Sequence, residues 1–237
     1  MDLQRKFLTD RYQQLWDDAI EHVRLGAVNI DPLLASREPD RRRCLTVLAR
    51  PSAEVQSRVG DFLNHLCAVD PEQYYYQSSE LHVTVLSLFT GTLKFEKHFR
   101  HYDRYLEAVN TALAGGPIFS LEFTGVTLTR EAIMIQGYFD DTILNDTRDA
   151  LRKALQSRDL TEGLDSRYFL QTAHMTAVRF RHPLQQSQNY AEILEHYRQH
   201  DFGRTQVQEL SLVRNDWYMS APSAEVMKKY QLSSNFT

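Results

Sequence analysis

The sequence has few cysteines and no strong excess of charge of either sign. Only two of its 237 residues are cysteine, Cys44 and Cys67, and each lies in an apolar stretch. This argues against a disulfide framework and favours buried free thiols in a reducing, cytoplasmic compartment. Lys and Arg number 27 against 31 Asp and Glu, which gives a formal net charge of −4. This acidic balance argues against a protein that binds long nucleic acid.

Long hydrophobic runs are also missing. The first thirty residues are rich in charged side chains and lack the apolar segment of a signal peptide. No later run approaches the roughly 18 apolar residues of a membrane span. Apolar residues make up 42% of the chain and charged residues 24%. We therefore expect a globular protein with a sizeable core and no membrane segment.

The first 43 residues are predicted to form a helix and a linker outside the main domain. Between Thr9 and Leu25, apolar residues recur at spacings of three and four, as in an amphipathic helix. The stretch 26–43 contains two prolines and a mostly basic charged run, residues 37–43. Such a run can contact phosphate, but a solvent-exposed linker is the favoured interpretation.

From residue 44 onward the order of predicted elements repeats. Each unit begins with a strand, continues through a helix to a second strand, and is followed by another helix and further strands. We therefore expect one α+β domain over residues 44–237, with two lobes of roughly 44–131 and 132–237. The predicted strands are 44–49, 81–88, 119–128, 132–139, 173–180, 205–213 and 225–230, and the predicted helices are 51–69, 95–114, 141–157 and 188–199.

The second strand of each unit carries a His-x-Thr motif. The two motifs are His82-Val83-Thr84-Val85 and His174-Met175-Thr176-Ala177, and no other His-x-Thr occurs. Because alternate side chains of a strand share a face, the His and Thr of each motif point the same way. If the repeats pack about a pseudo-twofold axis, two imidazoles and two hydroxyls converge on one cleft. Imidazoles transfer protons near neutral pH and hydroxyls donate to anionic oxygens, which indicates phosphoester chemistry.

The paired motifs resemble those of the 2H phosphoesterases, and the resemblance extends from about Cys44 to the C-terminus. LigT-like members of that family have a duplicated bilobal fold, with two antiparallel sheets related by a pseudo-twofold around a central cleft and helices outside. The resemblance implies that His82 and His174 are the catalytic base and acid, in an order that the near-symmetric halves leave open. It also implies that Thr84 and Thr176 bind the substrate phosphate.

The second motif further resembles the family's His-x-Thr-x-x-Arg form, which makes Arg179 a candidate phosphate contact. Arg179 lies five positions after His174, an odd offset that points away from the cleft in a regular strand. It therefore needs a bulge or a strand end to reach substrate. The segment 87–91 after the first motif differs from the family's usual pattern, and so do the residues before Arg43.

The resemblance implies a phosphoesterase that needs neither metal nor cofactor. The favoured reaction is hydrolysis of a cyclic phosphodiester on a small nucleotide or a short RNA, such as a 2′,3′-cyclic phosphate. One alternative is a 2′-5′ RNA ligase or phosphodiesterase that uses the same cleft. The other is a non-catalytic nucleotide-binding module.

Overall fold

A computed structural model describes residues 3–233, in which seven helices surround two antiparallel sheets. No helix in this range is long and apolar enough to span a lipid bilayer. The helices are α1 (Leu3–Arg24), α2 (Pro32–Ser36), α3 (Ala53–Val69), α4 (Glu96–Phe99), α5 (Tyr102–Leu113), α6 (Ile143–Gln156) and α7 (Ser187–His196). The strands are β1 (Arg43–Ala49), β2 (Tyr74–Tyr75), β3 (Val83–Thr92), β4 (Phe119–Leu128), β5 (Ala132–Tyr138), β6 (Met175–Arg179), β7 (Asp201–Val207), β8 (Glu209–Asn215) and β9 (Glu225–Gln231).

The two sheets confirm the predicted α+β fold. The first sheet has the strand order β3-β1-β8-β9, and the second has the order β2-β6-β5-β4-β7. The strands of each sheet do not come from a single predicted lobe, since the predicted lobes divide the chain between residues 131 and 132. That boundary falls inside the second sheet, because β4 and β5 form a hairpin and pair directly. The C-terminal strands β8 and β9 instead join β1 and β3, so each lobe contains strands from both halves of the chain.

The chain crosses between the sheets at Gln208. A single strand was predicted over residues 205–213, but the structure has β7 and β8 there, with Gln208 between them. Strand β7 pairs with β4 in the second sheet, whereas β8 pairs with β1 in the first. No glycine or proline marks the break at Gln208 in the sequence, and the pairing partners reveal the change of sheet.

The helices cover the outer faces of the sheets in a crossed arrangement. Helix α3 follows β1 of the first sheet but packs on β7 of the second, and α6 follows β5 of the second sheet but packs on β3 of the first. The strand residues on the helix side, such as Leu45 and Val47 in β1 and Ile133 and Ile135 in β5, belong to one buried apolar cluster. The two lobes therefore share a continuous core, and the alternate strand residues face the space between the sheets.

Helix α1 also belongs to this core, contrary to the expectation that it lies outside the main domain. It packs on β4, β5 and α7. The Tyr12 hydroxyl donates to the carbonyl oxygen of Gly137 at 2.9 Å and accepts a hydrogen bond from the Gly137 N–H at 3.3 Å. Thr127 Oγ1 donates to the Tyr12 carbonyl oxygen at 2.8 Å. These buried polar contacts fix the position of the helix against the second sheet.

We expect Tyr12→Phe to lower the free energy of unfolding by about 1–3 kcal/mol, since it leaves buried backbone groups of Gly137 without their partner. Urea unfolding measures the change. The matched control is Tyr168→Phe, because Tyr168 is 57% exposed and its substitution should change stability by less than about 0.5 kcal/mol. Equal effects of the two substitutions would contradict the assigned role of Tyr12.

Candidate active site

All five predicted site residues line one cavity between the two sheets. The cavity has a volume of about 740 Å³, and its walls include His82, Thr84, His174, Thr176 and Arg179. Each histidine immediately precedes its strand, β3 in the first sheet and β6 in the second. The intervening residues of each motif are buried on the helix side. The strand alternation thus directs both His-Thr pairs into the same space.

Strands β3 and β6 carry a β-bulge at the same position of the motif. The pairing of β3 with β1 skips Val85, and the pairing of β6 with β5 skips Ala177. Each is the third residue after its motif histidine. The extra residue changes which side chains face the cavity, so that Arg179 lines the cavity despite its odd offset. Its counterpart after the first motif is Ser87, which also lines the cavity.

Each motif histidine is oriented by the residue two positions before it. The Nδ1 atom of His82 lies 2.7 Å from the carbonyl oxygen of Glu80. The Nδ1 atom of His174 lies 2.8 Å from Thr172 Oγ1. Because a carbonyl only accepts, neutral His82 carries its proton on Nδ1 and its lone pair on Nε2. In both rings the Nε2 atom is left for a bound molecule.

Burial keeps both histidines neutral at pH 7. Desolvation by burial lowers the pKa of His82 to about 4, and the charges of Arg50 and Arg179 act in the same direction. Desolvation likewise lowers the pKa of His174 to about 4, assisted by Arg148 and by His82 itself. The mutual effect of the two imidazoles means that protonation of one opposes protonation of the other.

A buried arginine on α6 joins the two motif segments. Arg148 Nε donates to the carbonyl oxygen of Val85 at 2.9 Å, and its Nη2 donates to the carbonyl oxygens of Thr84 at 3.2 Å and Thr172 at 2.7 Å. Burial lowers the pKa of Arg148 to about 10, so the side chain remains charged at neutral pH. One guanidinium group therefore holds the bulge of the first motif and the residue that orients His174.

Our reading of the sequence missed Arg148, although a signal was present. Arg148 lies four residues after Leu144 and three before Leu151, which are both buried. These spacings place an arginine on the apolar face of a predicted helix. A charged residue in such a position requires buried partners.

The expected linker also contributes to the cavity. Arg42, within the basic run, lines the cavity wall. Its Nε and Nη2 atoms donate to the carboxylate of Asp40, with the Nη2–Oδ2 distance at 2.9 Å. The Asp40 side chain is 1% exposed. This pair corrects the solvent-exposed interpretation for Asp40 and Arg42, because the buried carboxylate turns Arg42 inward, whereas residues 37–39 and Arg41 are exposed as expected. Arg167 and Trp217 also line the cavity, and our sequence analysis did not assign them to the site.

Among the described residues there is neither a metal-binding cluster nor a reactive thiol in the cavity. Between residues 3 and 233 no group of three or more His, Cys, Asp or Glu side chains is arranged to bind a metal ion. Cys44 lines the cavity, but burial raises its pKa to about 12. It is therefore a protonated thiol at neutral pH and unsuited to nucleophilic attack.

Substitution of Arg148 by Gln should lower the free energy of unfolding by about 2–4 kcal/mol, because three buried carbonyl oxygens lose charged donors. Urea unfolding at pH 7 measures the loss. Arg11→Gln serves as the control, since Arg11 lies on the exposed face of α1 and should change stability by less than about 0.5 kcal/mol. A neutral result for Arg148→Gln would show that the guanidinium does not hold the two segments together.

Stability should depend on pH through His82 and His174. The pKa of each is about 4 in the fold and about 6.5 in an unfolded chain. Between these values the unfolded chain binds more protons, so stability falls as the pH drops from 7 towards 4. Replacing both histidines by Gln should flatten this fall by at least about 1 kcal/mol in urea unfolding, within the limit of about 1.4 kcal/mol per pH unit for each. Parallel profiles for the variant and the wild type would contradict the lowered pKa values, and exposed His101→Gln is the control.

Solved structures with the same fold include several LigT-like proteins. TT0787 of Thermus thermophilus superposes with a TM-score of 0.56 and 17% identity over 80% of this chain and 97% of that chain. A structure described as a phosphoesterase gives a TM-score of 0.55 and 15% identity over 83% and 99%. Escherichia coli LigT complexed with ATP gives 0.54 and 13% over 81% and 99%. At these identities the likeness shows a shared fold.

Family membership is shown by the sequence itself. No curated protein sequence matches this chain significantly. The family model described as the AKAP7 2′5′ RNA ligase-like domain matches residues 47–233. This match contains both histidine motifs and every strand after the first few residues of β1. The chain belongs to the AKAP7 2′5′ RNA ligase-like domain family, within the 2H phosphoesterase superfamily.

Proposed function

We propose that this protein is a metal-independent phosphodiesterase that opens a cyclic phosphodiester, such as a 2′,3′-cyclic phosphate on a nucleotide or a short RNA end. One observation carries the proposal: two His-x-Thr segments with the same bulge enter one cavity from two sheets, and each histidine Nδ1 is held by the residue two positions before it. Such a pair of oriented imidazoles supplies a base and an acid at a single phosphate.

In the proposed reaction the two histidines have opposite protonation states. The neutral ring accepts a proton from water at Nε2, and the protonated ring donates its proton to the departing ribose oxygen. The hydroxyls of Thr84 and Thr176 and the guanidinium of Arg179 donate hydrogen bonds to the phosphate oxygens. These donors stabilise the negative charge that develops on the oxygens as water attacks the phosphorus.

Binding of the substrate supplies the required protonation state. The pKa of each ring is about 4 in the fold, too low for a proton donor at neutral pH. An anionic phosphate between the rings raises the pKa of both. Since each protonated ring opposes protonation of the other, one proton is taken up and shared by the pair. In this proposal the substrate phosphate itself raises the pKa of the histidine that acts as the acid.

A second candidate is hydrolysis or ligation of a 2′-5′ phosphodiester in the same cavity. The family's description as 2′5′ RNA ligase-like favours this linkage. Solved E. coli LigT structures are described as complexes with ATP and with 3′-AMP, which supports a nucleotide as the ligand for either reaction. A substrate panel of 2′,3′-cyclic nucleotides and 2′-5′ dinucleotides distinguishes the two candidates.

We expect His82→Ala and His174→Ala each to lower kcat by about 10²–10⁴-fold, the usual contribution of a positioned acid or base. Turnover of the panel is measured with excess chelator, which should leave the wild-type rate unchanged. The control is His101→Ala, because His101 is exposed and outside the cavity.

Three outcomes would overturn the proposal. Loss of wild-type activity in chelator, with recovery in a divalent cation, would indicate metal catalysis. Wild-type turnover in either histidine variant would exclude the two-histidine mechanism. Nucleotide binding without turnover of any substrate in the panel would indicate a binding module.

A further inference from the structure

One end of the cavity holds three arginines around a tryptophan. The guanidinium carbon lies 4.4 Å from the centroid of the Trp217 ring in Arg167, 5.2 Å in Arg42 and 5.8 Å in Arg179. The arginines come from three separate segments: the loop between α6 and β6, the residues before β1, and the end of β6. All four side chains line the cavity that contains the motif histidines.

Two of these guanidinium groups have no carboxylate partner. Within residues 3–233, no carboxylate oxygen lies within the 4.0 Å ion-pair distance of Arg167 or Arg179. Arg42 is neutralised by Asp40. Asp165, the carboxylate closest in sequence to Arg167, is bound to an arginine of α6 at 2.7 Å. Asp31 also lines the cavity and interacts electrostatically with Arg42 and Arg179 from beyond ion-pair distance. Of these three arginines, Arg167 is therefore the one whose positive charge has no nearby carboxylate, and it attracts an anion.

The stacked arrangement leaves the arginines able to bind that anion. A guanidinium over an aromatic ring is held by its face, so the N–H donors in its plane stay available. Asp40 accepts from Nε and Nη2 of Arg42, and Tyr76 accepts from Nε of Arg179, so Arg167 contributes most of the donors that remain for an anion. Those donors match the geometry of phosphate oxygens. The guanidinium of Arg167 covers a face of the Trp217 ring, so that face is not free to stack on a nucleobase. This favours a phosphate as the group bound at this end of the cavity.

We propose that Arg42, Arg167 and Trp217 form a second phosphate subsite. It binds a further phosphoryl group of the nucleotide whose scissile phosphate lies at the motif histidines. Arg179 links the two positions, because it follows the second motif and also lies over Trp217. This inference rests on the proposed function, which places the first phosphate. It deepens that function by naming the substrate class as nucleotides or short oligonucleotides with at least two phosphoryl groups.

The second phosphoryl group has two sources. It is either the 5′-phosphate of the same nucleotide or the neighbouring internucleotide phosphate of a short oligonucleotide. Both carry the same anionic oxygens, so binding measurements with defined compounds separate them.

The test compares three unreactive ligands by calorimetry at one fixed ionic strength, since phosphate binding depends on salt. The reference is adenosine 2′-monophosphate. The two test ligands are adenosine 2′,5′-bisphosphate and a 3′-5′-linked diadenosine that ends in a 2′-phosphate and lacks a 5′-phosphate. At least one test ligand should bind about 10- to 100-fold more tightly than the reference, the range of one or two charge-assisted hydrogen bonds. The ligand that does so identifies the source.

Arg167→Gln should reduce this affinity ratio by about tenfold or more. Arg167 is exposed, so its substitution does not disturb the core. The matched control is Arg41→Gln, which removes one positive charge from an exposed residue of the basic run outside the cavity. This variant should keep the wild-type ratio.

The outcomes separate this inference from the proposed function. Equal affinity of the wild type for all three ligands would overturn the subsite, even if cyclic nucleotides are hydrolysed. An equal loss in Arg167→Gln and Arg41→Gln would also overturn it, since this would indicate general electrostatic attraction. If the wild type binds a test ligand more tightly than the reference and Arg167→Gln reduces that ratio, but no substrate of the panel is turned over, the subsite is supported and the hydrolase proposal is overturned.

Discussion

The site depends on one buried interaction, the set of hydrogen bonds that Arg148 donates to three carbonyl oxygens. β3 is the edge strand of its sheet, and its bulge at Val85 turns a carbonyl away from the pairing with β1. On the other strand, the equivalent carbonyl of Ala177 is satisfied by the N–H of Tyr76 at 3.0 Å. Arg148 donates the corresponding hydrogen bond to the carbonyl oxygen of Val85, and it also donates to the carbonyl oxygen of Thr172 in the segment before the second motif. A backbone N–H satisfies one acceptor, whereas a guanidinium fork satisfies several and so connects the two lobes.

This arrangement has an electrostatic consequence for the histidines. Within residues 3–233 no carboxylate forms an ion pair with Arg148, whose positive charge lies beside both motif segments. Together with burial, that charge lowers the pKa of His174, while Arg179 acts on both rings. Under the proposed function, a phosphate group between the two rings offsets this positive charge. The same feature that holds the motifs in place also favours an anionic ligand between them.

Local patterns in the sequence predicted much of the fold. The bounds predicted for one strand, 119–128, coincide with β4, and periodicity located α3, α6 and both motif strands within a few residues. The sheets do not follow the expected division of the lobes at residues 131 and 132, and the one strand predicted over 205–213 is two strands, because pairing depends on tertiary contacts that hydrophobic alternation does not encode. The motif residues could be found because they repeat. Arg42, Arg167 and Trp217 lie in loops far apart in the chain, and only the packing of both sheets brings them to one wall of the cavity.

The two halves of the site are equivalent in backbone but not in side chains. Both motif strands have the bulge after the threonine, and both direct the residue five positions after the histidine into the cavity. That residue is Ser87 in one strand and Arg179 in the other. A hydroxyl contributes a neutral donor, whereas a guanidinium contributes a charge and a planar set of donors. The cavity is therefore more positive on the side of the second motif. Under the proposed function, this asymmetry distinguishes the two ester oxygens of a phosphate bound between the histidines.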